Sequence, residues 1–271
     1  MTKTYIITGS ASGIGRGVLE KLYADNIVFA GYRNSAHNEV LKSISPNIYP
    51  FYVDYSKPET IKQAADYIKS KCTKIDTLIN IAGCVVAGPV EKLVMDEVRR
   101  QFDVNVLGHI ELAQNLVEIM DGGKIINVSS MASYGLFPFI SPYCASKRAL
   151  DMFFNSFMIE NKKNIKVISI KPGVIKTPLW EKSIEENSRY FEQFEEYSKE
   201  MEYISKNAKK NETCGLSVDK VVSVILRADR AIKPKLSYTV GADAYCAHLI
   251  SKLPQGLVNS LIKCGIKHRM K

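Results

Sequence analysis

The stretch Thr4-Tyr5-Ile6-Ile7-Thr8-Gly9-Ser10-Ala11-Ser12-Gly13-Ile14-Gly15 decides the fold. A short apolar run leads straight into three glycines, and a helical pattern from Gly15 to Tyr23 follows. Glycine is needed where backbone must turn tightly and come close to a ligand. The start of a helix offers unpaired N–H groups and a positive dipole end, which suit a pyrophosphate. A GxxxGxG spacing alone fits any tight turn between strand and helix. Placed at the first such junction, it points to a dinucleotide site at Gly9, Ser12, Gly13, Ile14 and Gly15.

Outward from this loop, short apolar runs alternate with longer amphipathic ones. Strands are expected at Thr4–Thr8, Ile27–Gly31, Ile48–Val53, Thr77–Asn80, Lys124–Ser129, Lys166–Ile170 and Ser237–Val240. Helical patterns include Pro58–Lys71, Asp96–Met120 and Pro142–Asn161. Strands alternating with helices make parallel βαβ units. The strands lack polar alternation, as expected when both faces of a sheet are covered. The pattern predicts a single α/β domain over residues 1–271: a Rossmann-type, doubly wound, mainly parallel seven-stranded sheet with helices on both faces. Two segments stand apart. Residues 178–216 are long, charged and helix-prone, and follow the strand ending at Ile170. They read either as a solvated insertion or as a lid over a substrate. Residues 253–269 carry Leu253, Leu257, Val258, Leu261, Ile262 and Ile266 on one helical face.

Composition narrows the function classes. The chain has 271 residues, 46% apolar and 24% charged, with a net charge of +9. The basic residues are scattered and no nucleic-acid motif accompanies them, so nucleic acid is not expected as a partner. The six cysteines form no CxxC pair and the four histidines show no ligand spacing, so no metal is expected. The first strand pattern begins too close to Met1 for a signal peptide, and no apolar run is long enough to span a bilayer. The expected location is cytoplasmic, with free thiols.

The end of the second strand bears on the cofactor. An acid there would bind the adenosine ribose and repel a 2′-phosphate. The sequence instead reads Ala30-Gly31-Tyr32-Arg33-Asn34. Arg33 suits a phosphate, because its planar donors match the oxygens. NADP(H) is therefore favoured, with NAD(H) still open. Arg16 is a second candidate near the phosphate.

Tyr143 and Lys147 stand four apart, on one face of the expected helix. An ammonium about 5 Å from the phenol favours phenolate by roughly 3 kcal/mol at an effective dielectric of about 20. That is about two pKa units, enough for proton exchange with a substrate oxygen near neutral pH. Ser130, at the end of the Lys124–Ser129 strand, can return to the same oxygen.

With these residues in place, the chain resembles the short-chain dehydrogenase/reductase family, and its stretch from Ser130 to Lys147, with Pro234–Asp243, is most similar to the hydroxysteroid/retinol dehydrogenase-like branch. The resemblance rests on TGSASGIG at Thr8–Gly15, Asp54, Asn80-Ile81-Ala82-Gly83, Asn105, Ser130, Tyr143/Lys147 and Pro172-Gly173-Val174-Ile175-Lys176-Thr177. It implies that Tyr143 is the proton donor or acceptor and that Ser130 orients the substrate oxygen. Lys147 would bind the nicotinamide ribose and lower the tyrosine pKa. Asn105 would hold a helix irregularity and a water of the proton relay. Asp54 would meet the adenine edge, while Asn80, Ala82 and Gly83 would support the cofactor. Pro172, Gly173, Val174, Ile175 and Thr177 would contact the nicotinamide, with Val174 or Ile175 near its carboxamide. Ile81 departs from the family's usual asparagine and should alter local hydrogen bonding. The helices of Asn105 and Tyr143 would form a homodimer or homotetramer surface.

The implied activity is hydride transfer between a nicotinamide cofactor and a secondary alcohol/ketone pair. Tyr134, Leu136, Phe137, Pro138, Phe139 and Ile140, with Leu179, Trp180, Tyr190 and Phe191, make an apolar wall suited to a lipophilic, steroid-like substrate. The alternatives are a smaller polar carbonyl, a catalytically silent cofactor-binding sensor, or a sugar-nucleotide epimerase on a related fold. The basic tail carries Lys263, Lys267, Arg269 and Lys271, with no acid after Asp243. It could lie on a membrane, over the substrate entrance or against a partner subunit.

Overall fold

Seven strands form one sheet in the order β3-β2-β1-β4-β5-β6-β7, with every neighbouring pair parallel. They are β1 Thr4–Ile7, β2 Ile27–Tyr32, β3 Ile48–Tyr52, β4 Thr77–Asn80, β5 Lys124–Val128, β6 Lys166–Pro172 and β7 Ser237–Val240. The computed structural model describes residues 2–180, 182–183, 185–186 and 192–269. Among the described residues the helices include α1 Gly13–Leu22, α2 His37–Lys42, α3 Pro58–Lys71, α4 Met95–Phe102, α5 Gly108–Leu116, α6 Ser141–Glu160, α7 Ser198–Cys214, α8 Val218–Arg230, α9 Ala242–Ile250 and α10 Gln255–Arg269.

The strand composition explains the layering. All four residues of β4 are buried, and β1 buries its last three. Side chains alternate across a strand, so such runs need cover on both faces. One face packs Ile61, Ala65 and Ile68 of α3, Leu112 and Leu116 of α5, and Leu150 and Phe154 of α6. The other packs Val18 and Leu19 of α1 and Val221, Val222 and Ile225 of α8. Pro58 begins α3 at a position where its missing N–H costs nothing.

The chain builds outward from β1 to β3, then crosses back to β4 on the other side of β1. This reversal opens a crevice at the carboxyl ends of β1 and β4, where ligands bind in sheets of this kind. The expected helix Asp96–Met120 is divided. A π turn, Asp103–Leu107, separates α4 from α5, and a short 3-10 turn Val117–Ile119 follows. Within 178–216, the described residues include a 3-10 turn Glu192–Tyr197 and α7, and bury Phe194 and Met201. Tyr190 and Phe191 lie outside the described residues, as does the side chain of Ile266. No helix among the described residues is long and apolar enough to cross a membrane. All six cysteines are free.

At the opposite, amino-terminal end of the sheet, Asp229 of α8 is buried. It accepts from Thr77 Oγ1 at 2.6 Å, Tyr5 OH at 2.8 Å and Lys3 Nζ at 3.1 Å. Burial pushes this carboxyl up, but those hydrogen bonds prevail and hold it below its ordinary range.

Candidate active site

The phosphate loop takes its shape from its glycines. Gly9 and Gly13 have φ of 66° and 53°, the left-handed region that favours glycine. A side chain at Gly15 would collide with the Gly9 carbonyl, so helix and strand pack closely only because it has none. Ser12, the N-cap of α1, makes no capping bond with its side chain, and the first turn has no acid. The helix start therefore faces the crevice with N–H groups open to an anion.

Three buried side chains shape the neighbouring loop after β4. Thr8 Oγ1 accepts from the N–H groups of Ile81 at 2.9 Å and Ala82 at 3.2 Å. His109 Nε2 lies 2.8 Å from the Ala82 carbonyl, which can only accept, so Nε2 carries the proton. Burial pushes this imidazole down to about 3 and keeps it neutral. Asn105 sits in the π turn, fully buried. Its Oδ1 accepts from Cys84 N at 2.9 Å, and its Nδ2 donates to Cys84 O at 2.9 Å and Ser146 Oγ at 3.0 Å. The side chain is fully engaged in positioning this loop. Asn80 donates to Asn127 Oδ1 at 2.8 Å behind the strand ends.

Tyr143 and Lys147 project from the first turns of α6, both buried. Lys147 Nζ donates to the Val128 carbonyl at 3.0 Å and lies 5.8 Å from the Tyr143 ring centre. Ser130 lies near the Tyr143 phenol, and its Oγ accepts from Ala132 N at 3.1 Å. The electrostatics differ from the expected picture. Burial pushes the phenol up to about 12, against a lowering by the Ser130 hydroxyl. Burial also pushes Lys147 down to about 8, opposed by Asp151 one turn further along α6. Desolvation thus governs the phenol, which keeps its proton at neutral pH.

The segment after β6 is held from two sides. Asp243 accepts from Val174 N at 2.7 Å, and its carboxylate fills the space a side chain at Gly173 would need. Leu216 N donates to Val174 O at 2.9 Å, and Lys176 N to Leu216 O at 3.0 Å. Both backbone groups of Val174 are thus engaged.

One cavity of about 1160 Å³ joins these parts. Gly9, Ser12, Gly13, Ile14, Arg33, Asp54, Ala82, Gly83, Ser130, Tyr143, Lys147, Pro172, Gly173, Val174, Ile175 and Thr177 all line it. Gly15, Asn80 and Asn105 support it from behind. The Asp54 carboxylate accepts from Ser56 Oγ at 2.7 Å and Ser56 N at 3.1 Å. Arg33 is 57% exposed and lies 3.6 Å from Glu186, which also pairs with Arg100 at 3.1 Å. Arg16 does not line the cavity. It pairs with Glu20, one turn along α1, at 2.6 Å, in keeping with the solvent-facing alternative rather than a phosphate contact.

The apolar wall is formed by Leu136, Phe137, Pro138, Phe139, Ile140, Leu179 and Trp180. Phe139 holds φ at 65°, a strained conformation for a residue with a side chain. Tyr134 is turned away, 2.6 Å from Thr239 Oγ1 and against the His248 ring. The sequence reading missed His37 and Ile250 as lining residues, whereas Tyr203 and Ile204 come from the segment read as a lid or solvated insertion, and Val258, Leu261 and Ile262 from the apolar face of the tail. It also missed Thr8, His109 and Asp243 as supports.

Known proteins match this arrangement. The family described as short chain dehydrogenase matches residues 3–188. The chain is 29% identical over 247 residues to the NADPH-dependent 3-dehydrocapnine reductase of Ornithobacterium rhinotracheale, covering 87% of each. It is 30% identical over 196 residues to a diacetyl reductase [(S)-acetoin forming] of Staphylococcus epidermidis, covering 69% of this chain and 76% of the other. A short-chain dehydrogenase structure from Streptomyces avermitilis superposes with a TM-score of 0.76 at 22% identity, covering 98% of this chain and 95% of the other. Since the family match spans most of its length, the chain belongs to the short-chain dehydrogenases, a family of oxidoreductases.

Proposed function

We propose that the protein is an NADP(H)-dependent reductase of lipophilic ketones, interconverting them with secondary alcohols. The observation that carries this reading is the convergence of Ser130, Tyr143 and Lys147 on an apolar cavity continuous with the phosphate loop. The open N–H groups of α1 and the side-chain-free surface at Gly9 and Gly13 fit a dinucleotide pyrophosphate. Arg33 and the missing acid beside it favour a 2′-phosphate. NADPH dependence in the relative's name points the same way.

When bound, the reduced nicotinamide supplies the hydride. Lys147 would hold the ribose hydroxyls, and Ile175 would offer its backbone to the carboxamide. Ser130 orients the ketone oxygen, and the Tyr143 phenol donates its proton there as the oxygen gains charge. The apolar wall excludes water and accepts a bulky ketone. The names of the relatives give no support to a steroid in particular, so the substrate class is drawn only as lipophilic. Self-association through the faces of α5 and α6 is part of the same reading, supported by the exposure of Leu107, Met152 and Phe153 there.

The test is a panel of steroid, retinoid, long-chain and small diketone substrates with NADPH and NADH. Tyr143→Phe should reduce ketone turnover by about 10²–10⁴-fold, while NADPH binding measured by fluorescence persists. Unchanged turnover would overturn the mechanism, and a strong preference for NADH would overturn the reading of Arg33.

A further inference from the structure

We propose that the outer face of α9 and α10 docks on a lipid bilayer with anionic headgroups, so that a lipophilic substrate passes from the bilayer into the cavity. What enters the cavity rests on the reductase reading above; the surface itself rests on separate observations.

Tyr245, Leu249, Leu253 and Leu257 are 56%, 62%, 41% and 49% exposed. None of the four lines the cavity. Ile250 and Leu261, on the same two helices, do line it while staying 46% and 52% exposed. A side chain that does both lies at the rim. Leu136 on another wall is a third such residue, at 43%. The cavity therefore opens beside an exposed apolar surface. Patches of this kind mark contact with a partner or a membrane.

Charge selects between those occupants. From Ala244 onward the sequence holds Lys252, Lys263, Lys267, Arg269 and Lys271 and no acid. Lys252, in the turn between the helices, and Lys263 are exposed beside the apolar residues. A second copy meeting this face through itself would oppose like charges. An anionic bilayer supplies both an apolar interior and the opposite charge, the combination that holds amphipathic helices in the interfacial plane. At 15 residues, α10 is too short to cross, so the contact is peripheral.

The experiment is vesicle flotation of the full chain with phosphatidylcholine alone and with about one third phosphatidylglycerol. The wild type should float with the anionic vesicles and not the neutral ones. The pairs Leu249→Ser/Leu257→Ser and Lys252→Glu/Lys263→Glu should each lower that binding by on the order of ten-fold or more. Both should keep wild-type turnover of a water-soluble diketone and lose turnover of a lipophilic ketone held in the anionic vesicles. Docking is overturned if the wild type floats with neither lipid, floats equally with both, or is unaffected by the substitutions. It is also overturned if the substitutions instead split an oligomer in sedimentation velocity, since a second copy would then cover the face. Retained turnover of the vesicle-held ketone would overturn delivery. Flotation without any ketone reduction would leave docking and remove the reductase reading; reduction without flotation would do the reverse.

Discussion

At the scale of single residues, the chemistry depends on which term governs a buried charge. Tyr143 has a cationic neighbour, yet burial holds the phenol at about 12, so it carries its proton throughout the neutral range. A raised phenol pKa means phenolate forms only as the pH approaches that value. Ultraviolet difference titration of the cofactor-free wild type against Tyr143→Phe should show no phenolate from this residue between pH 7 and about 10. A step near pH 8 would show that Lys147 dominates after all. Arg33 and Glu186 pose a different competition: on the NADP(H) reading proposed above, a 2′-phosphate would have to draw the guanidinium from the Glu186 carboxylate. Glu186→Gln should lower the KM for NADPH by about two- to five-fold, the range of an exposed ion pair, and leave that for NADH unchanged. The YxxxK spacing and Arg33 were legible in the sequence because each is local. The sign of the phenol's shift was not, since burial depends on Leu179 and Trp180, from beyond β6, packing with Tyr143. Arg16 carried its own counter-signal in Glu20, one helical turn away.

Among the elements, the π turn between α4 and α5 matters most. It places Asn105 so that one amide satisfies both backbone groups of Cys84 and fixes the loop lining the cavity. Asn105→Ala would leave buried Cys84 N–H and C=O groups unpaired and should cost about 2–4 kcal/mol. The midpoint of urea unfolding measures this; an unchanged midpoint would show that the loop holds its shape without the amide. Strand positions were legible almost to the residue, because apolar runs flanked by turn residues mark buried parallel strands. The expected helix over Asp96–Met120 had the right place but not the right form. One extra residue in a turn barely disturbs an amphipathic pattern. Supports such as Asp243, 69 positions from Val174, leave no local trace at all.

For the whole molecule, the exposed apolar residues fall into separate regions with different expected partners. Met152 and Phe153 are 60% and 53% exposed on the helix that carries Tyr143. If a second copy covers them, Phe153→Glu should shift sedimentation toward a monomer by placing an unpaired charge in the contact. An unchanged distribution would place self-association elsewhere. The sheet order also constrains how the chain is made. β1 is central and synthesised first, and it can pair with β2 and β4 early. Yet the carboxylate that finally anchors Thr77 lies 152 residues beyond it. On a ribosome adding about 5–20 residues per second, that interval is on the order of ten seconds. Until Asp229 emerges, Tyr5 and Thr77 must keep their hydroxyls hydrated, so the nascent half-sheet stays open at its foot and closes only when α8 arrives to complete it.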